Sequence, residues 1–200
     1  MKPGLISTIV FCLLSITACA PVHPKIQELQ LPPERIVQEG YSLVPLNEPG
    51  WLIAEKNQYS LVLGKKGMNP DETIAIQAMF VRLAEFKTTE DFVYMVKDGQ
   101  AKDTDPQRFI VKKHEAVASS IEGSSCVKSY LVTEDKAAVK RSGKAGNMVL
   151  EALTLTCRHP KNISVGVNVS YSHRYYPGQG DSAFIEKATR VLESLKFNDL

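Results

Sequence analysis

Residues 163–171, with the sequence ISVGVNVSY, alternate apolar and polar side chains without a break. Successive side chains of a β-strand point to opposite faces, so this alternation predicts a strand with one buried and one exposed face. Half-buried strands are typical of antiparallel sheets, which pack one face on the core and leave the other in water. The stretch therefore favours a domain built on an antiparallel sheet.

Two stretches just before it extend this sheet. Ser125–Thr133 and Met148–Arg158 have the β-branched and aromatic content of strands, and residues 134–147 between them contain glycines and several charges, as a hairpin loop does. We expect an antiparallel hairpin with these facing pairs: Cys126 and Cys157, Tyr130 and Leu153, and Val132 and Glu151.

The chain has four cysteines. Cys12 and Cys19 both lie in the N-terminal stretch considered below as an export signal, which leaves Cys126 and Cys157 as an even pair. In an oxidising compartment such a pair predicts a disulfide bond. The alternative is a nucleophilic thiol, with His159 near Cys157 in sequence. A catalytic thiolate also needs a group that orients its base, and the sequence indicates none.

Further strands are expected before this hairpin: Tyr41–Pro45, Trp51–Glu55, Gln58–Leu63, Thr73–Phe86 and Arg108–Ala118. The second and third form a hairpin that turns at Lys56 and Asn57, because asparagine tolerates positive φ. The stretch 73–86 fits a helical face as well as a strand, and its β-branched and aromatic content favours the strand.

Two helices complete the pattern. Thr88–Asp91 has the residues of a capping box and starts a short amphipathic helix that ends at Gly99. Asp181 caps a final helix. This helix has one apolar stripe: Phe184, Ala188, Val191, Leu192 and Leu195. Because strands and helices do not alternate regularly, the fold class is α+β: a single domain whose antiparallel sheet has one face under two or more helices.

Two short stretches carry a family resemblance. Tyr41–Pro45 followed by Gly50–Trp51 resembles the opening strand of the PsbP-like superfamily, and Val191–Phe197 is similar to its closing helix. The resemblance implies an antiparallel sheet sandwiched between helices and a non-catalytic accessory or assembly role. The cysteine pair and the long basic hairpin loop depart from the general pattern.

The start of the chain has the features of an export signal. Lys2 precedes the apolar segment Leu5–Ala18, which is too short to span a bilayer as a permanent helix. Ile16-Thr17-Ala18-Cys19 resembles the lipobox of bacterial lipoprotein precursors. This resemblance implies that Cys19 carries diacylglycerol and an acylated amino group after cleavage. An ordinary cleaved signal peptide and a transmembrane anchor are the alternatives.

The lipobox divides the chain into three parts. Residues 1–18 are the expected lipoprotein signal peptide, 19–40 a lipidated N-terminus with a proline-containing tether, and 41–200 the globular domain. More than one acyl chain on Cys19 gives a stable membrane anchor. In Gram-negative lipoproteins a residue other than aspartate at the next position, here Ala20, indicates the outer membrane. The expected location is therefore the cell envelope, at the outer membrane facing the periplasm.

Composition and motifs favour no enzymatic class. With 23% charged residues and a net charge of +2, the chain lacks the cationic excess of a nucleic-acid binder. Its four histidines are scattered without metal-ligand spacing, and it has neither a phosphate-binding loop nor a nucleophile elbow. We expect no catalytic residue, metal or cofactor.

Two groups of residues are candidates for binding. Lys136, Lys140, Arg141 and Lys144 lie in the hairpin loop and could meet an anionic partner. Tyr171, His173, Arg174, Tyr175 and Tyr176 form an aromatic and cationic cluster of the kind enriched at interfaces. A merely solvated loop and rings that only pack against the sheet are the structural alternatives.

The sequence thus predicts a lipid-anchored envelope module that acts through contacts with an envelope protein, with the membrane itself contacted through Cys19. The alternative function is binding of an envelope small molecule, lipid or glycan. That alternative requires a cavity between the sheet and the helices.

Overall fold

The computed structural model describes residues 27–200, and the predicted signal peptide and lipobox lie outside the described residues. Eight strands form one antiparallel sheet, the large sheet, in the spatial order β1-β4-β5-β6-β10-β9-β8-β7. These strands are β1 (Gln27–Glu28), β4 (Leu52–Lys56), β5 (Ser60–Lys66), β6 (Thr73–Arg82), β7 (Phe109–Ile121), β8 (Ser124–Asp135), β9 (Met148–His159) and β10 (Asn162–Tyr175).

Three short strands form a second antiparallel sheet, the small sheet, in the order β11-β3-β2. They are β2 (Ile36–Val37), β3 (Tyr41–Leu43) and β11 (Lys196–Phe197), and the two helices are α1 (Thr89–Asp103) and α2 (Phe184–Glu193). No helix in residues 27–200 is long and apolar enough to cross a membrane.

One face of the large sheet, the covered face, holds the main core. Val167, Val169 and Tyr171 of β10 point into it and are at most 1% exposed. The apolar stripe of α2 packs on them, as the helical period predicts, and so does Tyr41 of the small sheet, whose hydroxyl donates to the Ala78 carbonyl at 2.9 Å. The helix α2 and the small sheet together bury these β10 side chains and cover this side of the large sheet.

The opposite face, the open face, carries only α1. Phe92 and Val96 of the helix pack with Val127 of β8 and Leu83 in a second, smaller apolar cluster. The sequence-based expectation placed both helices over one face. They lie on opposite faces. Successive side chains of β8 point to opposite faces of the sheet, and both faces are apolar here: Cys126 packs in the main core under α2, and Val127 packs against α1. The α+β class is confirmed.

The β8–β9 hairpin has the expected register. Cys126 faces Cys157, Tyr130 faces Leu153 and Val132 faces Glu151. A disulfide bond joins the two cysteines across the neighbouring strands β8 and β9. Neither sulfur is therefore available as the thiolate that the catalytic alternative requires.

Three local expectations need correction. Asn57 does not adopt positive φ, and its side-chain oxygen instead accepts hydrogen bonds from the backbone N–H groups of Tyr59 and Ser60. Gly99 does not end α1, which continues to Asp103. Asp181 is not the N-cap of α2: Ala183 occupies that position, and Asp181 accepts its N–H at 2.8 Å.

Residues 27–40, which the sequence assigned to the tether, belong to the folded domain. β1 pairs with β4, and β2 pairs with β3, so the fold already includes residues from Gln27 onward. Ile36 is only 9% exposed and belongs to the main core. Burial of this apolar side chain keeps residues 27–40 on the domain in spite of their prolines.

Candidate binding surface

The basic loop, residues 136–147 between β8 and β9, is hydrogen-bonded to Asp71, which lies just before β6. The backbone N–H groups of Arg141 and Ser142 donate to Asp71 Oδ1 at 2.5 and 2.8 Å, and the Ser142 hydroxyl donates to Oδ2. These hydrogen bonds, led by the one from the Ser142 hydroxyl, hold the pKa of Asp71 well below its usual range. The loop is therefore held against the domain by specific hydrogen bonds.

Tyr176 joins the basic loop to the predicted aromatic cluster. Its hydroxyl donates to Asp71 Oδ2 at 2.7 Å. The ammonium groups of Lys144 and Lys140 lie 4.1 and 5.8 Å from the centre of its ring, within the range of cation–π attraction. The two groups of residues that the sequence proposed separately thus meet at one corner.

The rest of the aromatic cluster does not form one surface. Because side chains alternate along β10, Tyr171, His173 and Tyr175 lie on the covered face, whereas Arg174 lies on the open face. Tyr171 is a core residue at 1% exposure, with its ring 5.4 Å from that of Phe184. The residues of the predicted cluster therefore do not share one face of the sheet.

His173 and Tyr175 have structural partners on the covered face. His173 is 2% exposed, and its Nε2 lies 2.6 Å from Glu72 Oε1. The Tyr175 hydroxyl donates to Glu151 Oε2 at 3.0 Å. Burial, together with the Glu151 charge and this hydrogen bond, raises the pKa of Tyr175 to about 12. Both side chains are engaged within the fold.

Lys136 is separated from the other loop cations. Its Nζ donates to the Pro106 carbonyl at 3.2 Å, and its backbone N–H donates to the Arg108 carbonyl. It therefore sits beside the segment that leads into β7, away from the corner formed by Asp71 and Tyr176.

The open face has a stretch of sheet that α1 leaves uncovered. The helix packs on β7 and β8, whereas two adjoining depressions of about 310 and 240 Å³ lie over β4, β5, β6, β10 and β9. Thr73 and Ala75 line both. The centre of this floor is a row of small residues that are direct cross-strand neighbours: Gly64, Ala75, Ser172 and Ala152.

The charges of this surface have one sign. Three cationic side chains lie at these depressions on the open face: Lys66, Arg141 and Arg174. Lys65 also borders one depression, but its side chain alternates with that of Lys66 and points to the covered face, as Leu61 and Leu63 do. Lys65 forms an ion pair with Glu48 at 2.7 Å. Arg141 from the basic loop and Arg174 from the aromatic cluster thus border the same open face, which the sequence did not reveal.

Arg174 is partly neutralised by a buried carboxylate. Asp135 is fully buried and lies 3.2 Å from Arg174 Nε, while Arg108 donates two hydrogen bonds to it at 2.9 and 2.8 Å. Burial raises the pKa of Asp135, but the Arg108 hydrogen bond, the Ala137 N–H and the two guanidinium charges outweigh it and bring that pKa below its usual value. Two arginines on one carboxylate leave a positive charge at this end of the face.

His159, which the sequence placed near Cys157 as a possible base, has a structural role. His159 is buried, and its Nε2 lies 2.9 Å from the Gly40 carbonyl, so this ring has a structural partner. Residues 27–200 contain no group of three or more histidine, cysteine or acidic side chains placed to hold a metal ion.

The space between α2 and the large sheet is filled by side chains. Trp51, Tyr171, Phe184 and Leu192 are each at most 2% exposed and belong to one core cluster. A small molecule bound between the sheet and the helices would require a cavity here, and these side chains occupy that space.

Sequence reasoning missed Asp71 and Lys66. Asn69-Pro70-Asp71 indicates a turn, but the partners of Asp71 are about 70 and 105 residues away in the chain. No local pattern predicts such contacts. The exposure of Lys66 on the open face follows from the strand period once Leu61 and Leu63 are assigned to the core.

No protein-family model matches the chain, and no curated protein is significantly similar to it. Among solved structures, the chain is similar to cyanobacterial PsbP (CyanoP) from Synechocystis sp. PCC 6803. The match covers 92% of this chain and 99% of that chain, at 14% sequence identity and a TM-score of 0.44.

Proposed function

We propose that this protein is a lipid-anchored, non-catalytic module of the cell envelope that holds a protein partner on the open face of its large sheet. The observation that carries this proposal is the uncovered, concave part of that face, bordered by cationic side chains. A sheet face in a single domain is normally packed on one side only, so the open side is free to serve as an interface.

The lipobox resemblance supports the anchor. Cys19 precedes Gln27, the first described strand residue, by eight positions, which limits their separation to about 25–30 Å even in a fully extended chain. β1 in turn pairs with β4, whose Leu52 and Ala54 line one of the depressions. A lipidated Cys19 would therefore keep this edge of the large sheet near the membrane. Ala20 favours the outer membrane, with the domain in the periplasm.

The alternative function, a small molecule bound between sheet and helices, has less support. The filled interface between α2 and the large sheet offers it no room. The non-catalytic character of the proposal rests on the bonded cysteines and on the structural partners of His159 and His173.

Site-specific photocrosslinking in intact cells tests the docking surface. A photoreactive residue replaces Gln77, which is exposed on the open face, or Ile185, which is 49% exposed on the outer side of α2. We expect one discrete protein adduct from position 77 and none of that size from position 185. Mass spectrometry then identifies the captured partner. That partner, once purified, should bind the purified full-length chain. Equal adducts at both positions, or none at position 77, would contradict the proposal.

A further inference from the structure

We infer that the segment of the partner that docks on the open face is acidic and extended, and that it crosses the strands between α1 and the basic loop. This inference rests on the proposed function and specifies the chemistry of the partner. Its basis is the charge of the surface together with its shape.

The charge favours an anionic partner. Lys66 and Arg141 are exposed, and neither forms an ion pair with a carboxylate in the described part of the chain. Arg174 retains 24% exposure of its side chain beside the buried Asp135. Asp71 and Asp135, two acidic groups beside this surface, are buried and already hydrogen-bonded, so they offer little repulsion to incoming carboxylates.

The cations also have a fixed arrangement. Lys66, Thr73, Arg174 and Leu150 are cross-strand neighbours, and this row runs parallel to the row of small residues on its loop-side flank. Arg141 is held over the same edge by the two hydrogen bonds from the loop backbone to Asp71. A segment lying over the small residues would therefore have cations along one side, as complementary recognition of an acidic chain requires.

The shape favours a polypeptide segment over a membrane surface. Adjacent strands lie about 4.8 Å apart, so the floor from β4 to β9 spans about 19 Å, the length of about six extended residues. Beyond β9, α1 borders this floor, where Gln100 Nε2 donates to Ser129 Oγ of β8 at 2.7 Å. The basic loop borders the floor at the start of β6, where it is hydrogen-bonded to Asp71. A planar bilayer cannot reach a recessed floor, whereas a single extended chain can.

The neutral polar side chains of the floor suit a peptide backbone. Thr73, Gln77, Ser170 and Ser172 present hydroxyl and amide groups on the open face. They can donate to and accept from the backbone of an extended segment, while the cations contact its carboxylates.

A peptide titration tests this inference. The full chain, purified in neutral detergent micelles, is titrated with a fluorescent synthetic 12-residue peptide that alternates glutamate with alanine. The matched peptide has glutamine at every glutamate position. We expect the glutamate peptide to bind, with an affinity that falls as salt rises, and the glutamine peptide to bind at least tenfold more weakly.

Two double variants locate the binding. Lys66→Gln with Arg141→Gln should weaken binding of the glutamate peptide about tenfold. Lys161→Gln with Lys196→Gln removes the same charge from exposed positions elsewhere and should leave the affinity unchanged. All four side chains are exposed, so the unfolding transition of each variant should match that of the wild type, which confirms that the effect is local.

Three outcomes would overturn the inference: equal binding of the two peptides, an equal effect of the two double variants, or displacement of the peptide by an anion of another class. Phosphatidylglycerol added to the micelles, with phosphatidylcholine as its control, tests a membrane surface, and millimolar inorganic phosphate tests a free anion. None of these outcomes depends on the photocrosslinking at position 77. A discrete adduct there without peptide binding would contradict the acidic segment and leave the docking surface standing.

Discussion

Asp71 connects three segments that are distant in the chain. Its two carboxylate oxygens accept hydrogen bonds from the basic loop and from Tyr176, while the residue itself precedes β6. It is 3% exposed, so its carboxylate depends on these donors in place of water. We regard Asp71 as the residue that positions Arg141 at the open face.

Replacing this carboxylate should release the basic loop. In Asp71→Ala the N–H groups of Arg141 and Ser142 lose their acceptor, so we expect their hydrogen exchange to become about tenfold faster or more. Asp103→Ala, at the exposed end of α1, is the matched control and should leave both rates unchanged. Unchanged exchange in Asp71→Ala would show that the loop is held by other contacts.

The lowered pKa of Asp71 also predicts a pH dependence of stability. A carboxylate whose pKa is lower in the folded state stabilises the fold above its unfolded value of about 3.9, and this contribution disappears as the pH falls through the folded pKa. Between about pH 5 and pH 2, the unfolding free energy of the wild type should therefore fall more steeply than that of Asp71→Asn. Denaturant titrations across this range measure both, and parallel profiles would contradict the assignment.

One glycine in α1 has room for a side chain, and one glycine in β10 does not. Gly99 lies inside α1, and a Cβ built there meets no atom within 4 Å, so Gly99→Ala should stabilise the protein by about 0.5–1 kcal/mol. Gly166 in β10 is crowded, because a Cβ would lie 2.9 Å from both Leu83 and Val81. Gly166→Ala should destabilise by about 1–3 kcal/mol. Denaturant unfolding measures both, and effects of the same sign would contradict this description.

The sequence predicted those elements whose side-chain period is clear. Alternation in 163–171 and the stripe of α2 follow from burial of one face, and the observed elements contain both. Gly99 was misassigned as a helix end because glycine is a weak helix former whose cost is outweighed by packing of Phe92 and Val96. Arg141 and Arg174 were named among the candidate residues, but their common surface depends on Asp71, whose contacts are long-range.

At the scale of the whole molecule, the anchor and the domain are expected to act together. The proposed lipidation of Cys19 predicts metabolic labelling with palmitate, because acyl chains are attached at that cysteine. Cys19→Ala should abolish the label. Cys12→Ala, which alters a cysteine of the apolar leader, should retain it and serves as the control. Label that persists in Cys19→Ala would contradict the lipobox interpretation.

A partner docked on the open face should shield that face from small reagents in the cell, and the accessibility of single cysteines measures this shielding. Gln77→Cys and Ile185→Cys are each labelled with a small maleimide in intact cells and again as purified full chains. We predict that the cysteine at position 77 is protected several-fold in cells and reacts freely after purification, whereas the cysteine at position 185 reacts equally in both. Equal labelling of position 77 in cells and in the purified protein would contradict a docked partner.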